Sequence, residues 1–400
     1  MTEGRPALFG GEPVFKEYLP YGRQSISEED IEAVVSVLKS DWITTGPNIA
    51  RFEEDASLRL NAAHAVAVSS GTAALHCAAF AAGFGEGDEV ITTPMTFAST
   101  ANCVLFRGAT PVFADIDPET LNLDPEEVER HITERTRAII PVHFGGLPCD
   151  MDAIGKLARK HKLLVIEDAA HALGALYRGR KVGSISEFTC FSFHPVKHIT
   201  TGEGGLVTTR SGNAADSMRG FRNHGIAVGG RERQETGEYY YEMNELGFNY
   251  RITDFQCALG SSQLARLDDL LNRRRELAAL YFEKLQGFHG IALPPLPIEK
   301  DTTHAWHLFI VQLDEEILGT SRDQYFKALR AENVGVNVHY IPVYLHPYYR
   351  KVLGTGEGLC PRAEAYYKRA LTLPLHASMS DGDIDSVVLA IRRIKNWFQK

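Results

Sequence analysis

The chain has 400 residues, 44% of them apolar, which is enough for a sizeable core and, by length, two or three domain-sized units. Lys+Arg 42 against Asp+Glu 51 leaves a formal net charge of -9 with no long basic run, so nucleic acid is not an expected partner. The start Met1–Pro6 lacks a signal peptide's apolar core, no segment approaches the ~18 apolar residues of a membrane span, and the 6 cysteines show no Cys-x-x-Cys spacing, a pattern that predicts a cytoplasmic protein with reduced core thiols.

In chain order, the first element is a helix opened by the capping box Ser27-Glu28-Glu29-Asp30 and continued by Ile31, Val34, Val35 and Leu38 at helical spacing. Val66-Ala67-Val68 reads as a strand, followed by a Ser-Ser-Gly-Thr turn and an alanine-rich helix start. Apolar runs at Val90–Thr93, Pro111–Ile116, Ala138–Phe144, Leu163–Asp168 and Thr189–Phe193 are further strands. Their alternation with helical segments predicts an α/β fold with a mainly parallel sheet covered on both faces. Gly229-Gly230 and the charged, tyrosine-rich stretch Arg231–Glu242 read as a loop. From Thr253 one long helical pattern runs through Leu264, Leu267, Leu271 and Leu277 to Leu285 and bridges to a second domain. After the break Leu293-Pro294-Pro295-Leu296-Pro297, a strand at Trp306–Leu313 and helices near Arg322–Glu332 and Ala363–Arg369 predict a smaller α+β domain. The division falls at 1–255 and 256–400.

Three motifs carry chemistry. Lys197 follows Phe191-Ser192-Phe193-His194-Pro195-Val196 and precedes the glycine-rich Gly202-Glu203-Gly204-Gly205. A lysine forms an imine with a carbonyl only when part of its population is neutral, and the apolar and hydroxyl neighbours predict the desolvated pocket that this requires. Asp168 ends the strand Leu163–Glu167, at the carboxyl edge where open α/β sheets bind ligands. Alone, it reads first as a helix cap. The turn Ser69-Ser70-Gly71-Thr72 before a helix can hold a phosphate through backbone amides and the helix dipole, with Ser192 adding a hydroxyl. It is neither a Walker loop nor a dinucleotide fingerprint. In this order, the three point to pyridoxal phosphate (PLP), whose protonated ring nitrogen an aspartate can hold.

With these motifs in this order, the chain resembles the DegT/DnrJ/StrS family of PLP-dependent nucleotide-sugar aminotransferases over nearly its whole length. The strings that carry the resemblance include Trp42-Ile43-Thr44-Thr45-Gly46-Pro47, Ser69–Leu75, Thr93-Pro94-Met95-Thr96-Phe97, Glu167-Asp168-Ala169-Ala170-His171, Arg222-Asn223-His224-Gly225, Gly247-Phe248-Asn249-Tyr250-Arg251 and Val338-His339-Tyr340-Ile341-Pro342. The resemblance implies aminotransferase fold type I, with a mainly parallel seven-stranded sheet. It implies that Lys197 carries the cofactor and shuttles the proton, and that Asp168 pairs with the ring nitrogen. Phe97 matches the ring-stacking aromatic, His171 the position beside the ring hydroxyl, and Gly71, Thr72 and Ser192 the phosphate ligands. Asn249 matches a residue that reaches the phosphate from the neighbouring subunit, so a homodimer with a shared active site is implied. Thr44, Thr45, His224, Arg251, His339 and Tyr340 fall in strings assigned to the substrate. The lysine motif is most similar to that of enzymes that aminate UDP-linked 4-keto-6-deoxy-N-acetylhexosamines in pseudaminic acid synthesis, with glutamate as donor. Relatives with histidine in place of the lysine dehydrate the sugar, so Lys197 favours amino transfer.

A nucleotide sugar brings a diphosphate, for which Arg23, Arg222 and Arg251 are unranked candidates. His304, His307 and His339 have no metal-site spacing, and no Cys or acidic cluster completes one; no metal is expected. Tyr340, Tyr344, Tyr348, Tyr349 and His346 read either as a sugar or uracil pocket or as domain core.

Overall fold

The computed structural model describes residues 4–226, 237 and 239–399. Seven strands form the main sheet: β1 (His64–Val68), β2 (Glu89–Thr92), β3 (Thr110–Phe113), β4 (Thr136–Ile140), β5 (Leu164–Asp168), β6 (Phe188–Ser192) and β7 (Gly205–Thr209). Their spatial order is β1-β7-β6-β5-β4-β2-β3. The pairs β2–β3, β2–β4, β4–β5 and β5–β6 are parallel, and only β7 runs against its neighbours β1 and β6. β1, β5 and β6 therefore point the same way and deliver their carboxyl ends to one edge.

The short apolar runs are strands because successive side chains enter two different cores. Ala65, Ala67, Ile139 and Val165 pack into one layer, while Val66, Val68, Ala138, Ile140 and Ile166 pack into the layer on the opposite face. The capping box at Ser27 forms as the sequence predicts and opens the helix Glu28–Leu38.

The long helical pattern from Thr253 is two helices, Asp254–Ala265 and Leu267–Leu285, jointed at Arg266 (φ -105°, ψ 17°). The apolar period continues across the joint, so the sequence does not reveal it. At the joint, the Arg266 guanidinium donates to the Ser25 carbonyl and, at 2.6 Å, to the buried Asp30 carboxylate. Asp254, at the start of the first of these helices, in turn accepts the backbone N–H groups of Gly46 (2.6 Å) and Asn48 (2.8 Å), holding the start of the helix Pro47–Leu60.

A second, three-stranded antiparallel sheet contains β8 (Ile291–Ala292), β9 (Phe309–Leu313) and β10 (Ala370–Leu373) in the order β8-β9-β10. The helices Leu267–Leu285, Arg322–Ala331 and Asp381–Phe398 pack Tyr281, Leu329 and Ile391 against it. Val14, Phe15 and Leu19 also join this core, and Leu19 bridges to Val334. The N-terminal stretch thus lies on the second unit, although the sequence grouping counts it with the first. Of the loop expected at 229–242, residues 229–236 and 238 lie outside the described residues.

Candidate active site

The carboxyl edge opens into a cavity of about 1220 Å3, and each motif reaches it from the end of a different strand. After β6, the chain turns through His194-Pro195-Val196-Lys197, closed by a hydrogen bond from the Lys197 N–H to the His194 carbonyl (2.9 Å). The Phe193 carbonyl accepts from the Thr200 hydroxyl (2.9 Å) and the Thr201 N–H (3.1 Å), which pins the far side of the turn. Lys197 is half-buried in the cavity. Burial lowers its amine to about 8, Asp168 opposes the shift, and Arg274 adds to it. Its Nζ lies 3.3 Å from His307 Nε2. Burial first, and Lys197 second, holds His307 well below the ordinary histidine range. The contact is satisfied in both states of the lysine: an ammonium donates to the neutral ring, and a neutral amine accepts from it.

Asp168 ends β5 with 4% exposure. One carboxylate oxygen accepts from the Ala170 N–H (3.1 Å) and the other from the Thr100 hydroxyl (2.6 Å), which itself lies 2.6 Å from the Thr96 hydroxyl. A donor on each oxygen sets the orientation of the carboxylate. The carboxylate is therefore held in one orientation in the cavity as well as ending a strand.

The third wall follows β1. Ser70 caps the helix Gly71–Ala81 by accepting the Ala73 N–H, while Gly71 and Thr72 line the cavity in the first turn, where N–H groups have no partner inside the helix. A Cβ at Gly71 would lie 2.8 Å from Ser192 Cβ and 3.1 Å from its Oγ, and one at Gly205 would lie 2.3 Å from the Ser70 carbonyl oxygen. The two glycines let the β6 hydroxyl and the helix terminus close around one spot, a cradle that a side chain would fill. This cradle, the lysine and the aspartate fit the phosphate, carbonyl and ring nitrogen of PLP.

Of the residues named from sequence, Gly71, Thr72, Phe97, Asp168, His171, Ser192, Lys197, His339 and Tyr340 share this cavity. Phe97 stands 63% exposed within its opening. The His171 ring nitrogen Nε2 lies 3.1 Å from the Tyr340 hydroxyl, and its buried Nδ1 has no partner. His339 Nδ1 lies 2.7 Å from the Thr372 hydroxyl. Thr44, Thr45, His224, Asn249 and Arg251 do not line the cavity. Asn249 is exposed and bridges to Asn223, whose side-chain oxygen accepts from Arg251 (3.0 Å). Arg222 is held by Glu53 and the Ala67 carbonyl, each at 2.5 Å, which leaves it committed within this chain. Tyr348 and His346 line the cavity, whereas Tyr344 is core. Among the described residues, no group of three or more His, Cys, Asp and Glu is placed to hold a metal ion.

Neither Thr100 nor the contact of His307 with Lys197 was expected from the sequence. Thr100 lies in the first turn of the helix Ser99–Phe106, and its partner Asp168 is 68 positions away in the chain.

The architecture is that of the PLP-dependent aminotransferases of fold type I. Residues 24–392 match the DegT/DnrJ/EryC1/StrS aminotransferase family, and the chain belongs to it, as a PLP-dependent sugar aminotransferase. It is 47% identical over 379 residues to the spore coat polysaccharide biosynthesis protein SpsC of Bacillus subtilis, covering 94% of this chain and 97% of that one. Helicobacter pylori PseC, an aminotransferase involved in the biosynthesis of pseudoaminic acid, superposes with a TM-score of 0.88 at 30% identity, over 95% of this chain and 100% of that one. Spr1654 of Streptococcus pneumoniae, in its PLP form, gives 0.88 at 31% identity over 95% and 99%.

Proposed function

We propose that this enzyme transfers the amino group of glutamate to the keto carbon of a UDP-linked 4-keto-6-deoxy-N-acetylhexosamine. The observation that carries amino transfer is the Lys197 amine, lowered to about 8 and facing Asp168 in a cavity with a phosphate cradle. The similarity of its motif to the UDP-sugar subgroup, and the likeness to PseC, support the substrate class.

PLP, when bound, supplies a carbonyl that captures amines and a ring that takes up the negative charge left when a C–H proton is removed. Lys197 would hold the cofactor, and its Nζ would take the proton from the α-carbon of glutamate. In the second half of the cycle Nζ returns a proton to the sugar carbon that gains the amine. A lysine near 8 can act in both directions close to neutral pH. Asp168, fixed by Thr100 and Ala170, would hold the ring nitrogen, Phe97 would lie against the ring, and His171 would stand by its hydroxyl. Gly71, Thr72 and Ser192 hold the phosphate.

Asn249 completes the cradle of a second copy of the chain. Its exposure, outside its own cavity, supports this placement and with it a homodimer with shared sites. Thr44, Thr45, His224 and Arg251 serve the substrate in the same way, while His339 and Tyr340 serve it from this chain's own second unit. The division at 1–255 and 256–400, with the N-terminal stretch packed on the second unit, then separates the cofactor unit from the one beside the sugar. Six buried free cysteines support a reducing, cytoplasmic setting.

The test is a panel of UDP- and dTDP-linked ketosugars assayed with glutamate, with products assigned by NMR. Amination at C4 of the UDP-N-acetyl sugar is expected. Turnover confined to dTDP sugars, or amination at C3, would replace this substrate with another member of the class, and loss of water without amine gain would indicate a dehydratase.

A further inference from the structure

Three consecutive arginines lie on the bridging helix Leu267–Leu285, and the middle one differs in kind from its neighbours. Arg273 pairs with Asp381 (2.8 Å) and Glu276 (3.1 Å), and Arg275 donates to Asn272 (2.9 Å), all at the surface. Arg274 points inward and is 2% exposed. Its partners are all backbone carbonyls: Leu375 (2.8 Å), Trp306 (3.2 Å), His307 (3.4 Å) and Val196 (3.5 Å). Burial alone, with no carboxylate opposing it, lowers this guanidinium to about 10, so it stays charged near neutral pH. A buried charge without a counter-ion is costly to fold, and an apolar side chain would ordinarily serve better there.

Two of the carbonyls locate its use. Val196 precedes Lys197, and His307 carries the ring that touches the lysine amine. We propose that Arg274 is a positioning residue for amino transfer: it ties down the two segments that meet at Lys197 and keeps an unneutralised positive charge behind the amine. This rests on the reading of Lys197 as the cofactor lysine.

The space between them supports the idea. Arg274 and Lys197 border a cavity of about 10 Å3, room for roughly one water and none for a counter-ion, so the charge acts through protein. Asp168 is the buried anion facing the lysine, and it acts in the opposite direction. His171, His198, His307 and His339 are all held below the ordinary histidine range, chiefly by burial, and burial pushes the Tyr340 phenol up, so these groups face the lysine uncharged. Glu203 and His194 lie exposed at the rim, and Arg23 is exposed on the outer side of the small cavity. Arg274 is thus the buried cation that balances Asp168.

The test uses full-length protein stripped of any bound aldehyde with hydroxylamine. The rate of Lys197 acetylation by acetic anhydride is followed against pH by peptide mass spectrometry. The wild-type midpoint is expected near 8 and unchanged by ~1 M salt, because a buried charge is weakly screened. Arg274→Gln and Arg274→Met should each raise the midpoint by on the order of one pH unit, and free guanidinium should restore it in Arg274→Ala. A purely structural arginine would lower the melting temperature and leave the midpoint in place, which would overturn the proposal. Where the uncharged variants do not fold alone, Arg274→Ala refolded with free guanidinium decides. A Lys197 midpoint that falls as the guanidinium concentration rises supports the proposal, and one that stays in place in the folded protein overturns it. Borohydride reduction of the PLP-loaded wild type, with peptide mapping, separately asks whether Lys197 carries the cofactor. An adduct on another lysine would end that reading while leaving the Arg274 midpoints as they are.

Discussion

Thr100→Val isolates the support of Asp168 with little change in volume, because a methyl group replaces the hydroxyl. The lost bond is short, 2.6 Å, buried, and made to a carboxylate whose other oxygen keeps the Ala170 N–H. Removing one donor from a buried charged acceptor costs about 1.5–3 kcal/mol. The Thr96 hydroxyl also loses its partner. If the carboxylate must stay ionised to hold the ring nitrogen's proton, that cost falls on cofactor binding and on proton removal together, a combined loss on the order of ten- to a hundredfold. PLP affinity is read by absorbance titration of the cofactor-free protein, and the glutamate half-reaction by stopped-flow absorbance under single-turnover conditions. Thr96→Val, one bond further away, should cost clearly less than Thr100→Val. A folded Thr100→Val protein that binds PLP and reacts with glutamate within about twofold of wild type would refute the reasoning, because Asp168 would then need no second donor.

PLP should associate with the cofactor-free protein faster as pH rises through about 8, with a gain of roughly tenfold between pH ~7 and ~9 as Lys197 becomes neutral; a flat profile would contradict the lowered amine. The same shift has a stability sign. Between about 8 and the ordinary 10.5 the unfolded chain holds more protons at this site, so Lys197's penalty to folding shrinks as pH rises across that window, as denaturant titrations at several pH values can check. Gly71→Ala would bring a Cβ within 2.8 Å of Ser192 and should weaken PLP about tenfold or more while leaving the circular dichroism intact; undiminished affinity would place the phosphate elsewhere. Mixtures of Lys197→Ala and Asn249→Ala chains, refolded and verified as heterodimers, should exceed the activity of either parent, because one site then carries both defects and the other neither. Activity no higher than that of the Asn249→Ala parent would show that sites are not shared.

The sequence by itself determined the parts whose energetics are local. Short apolar runs must become strands when both faces are covered, Ser27 with Asp30 can satisfy a helix start without help from afar, and Gly71 permits a close approach that no other residue would. Lys197, Asp168 and the Ser-Gly-Thr turn were legible for the same reason: each sits at a strand end whose position its own neighbours set. Tertiary structure decided what those groups meet. The Thr100 hydroxyl reaches Asp168 from another element, His307 meets the lysine from 110 positions away, and Arg274 arrives from the bridging helix. It also decided that a helix break falls at Arg266 although the apolar period continues without interruption, that the N-terminal stretch lies on the second unit, and that Asn249 does not line its own cavity. These are long-range pairings, chosen by which buried charges and carbonyls can be satisfied only after the chain has closed on itself, and no periodicity along the chain encodes them.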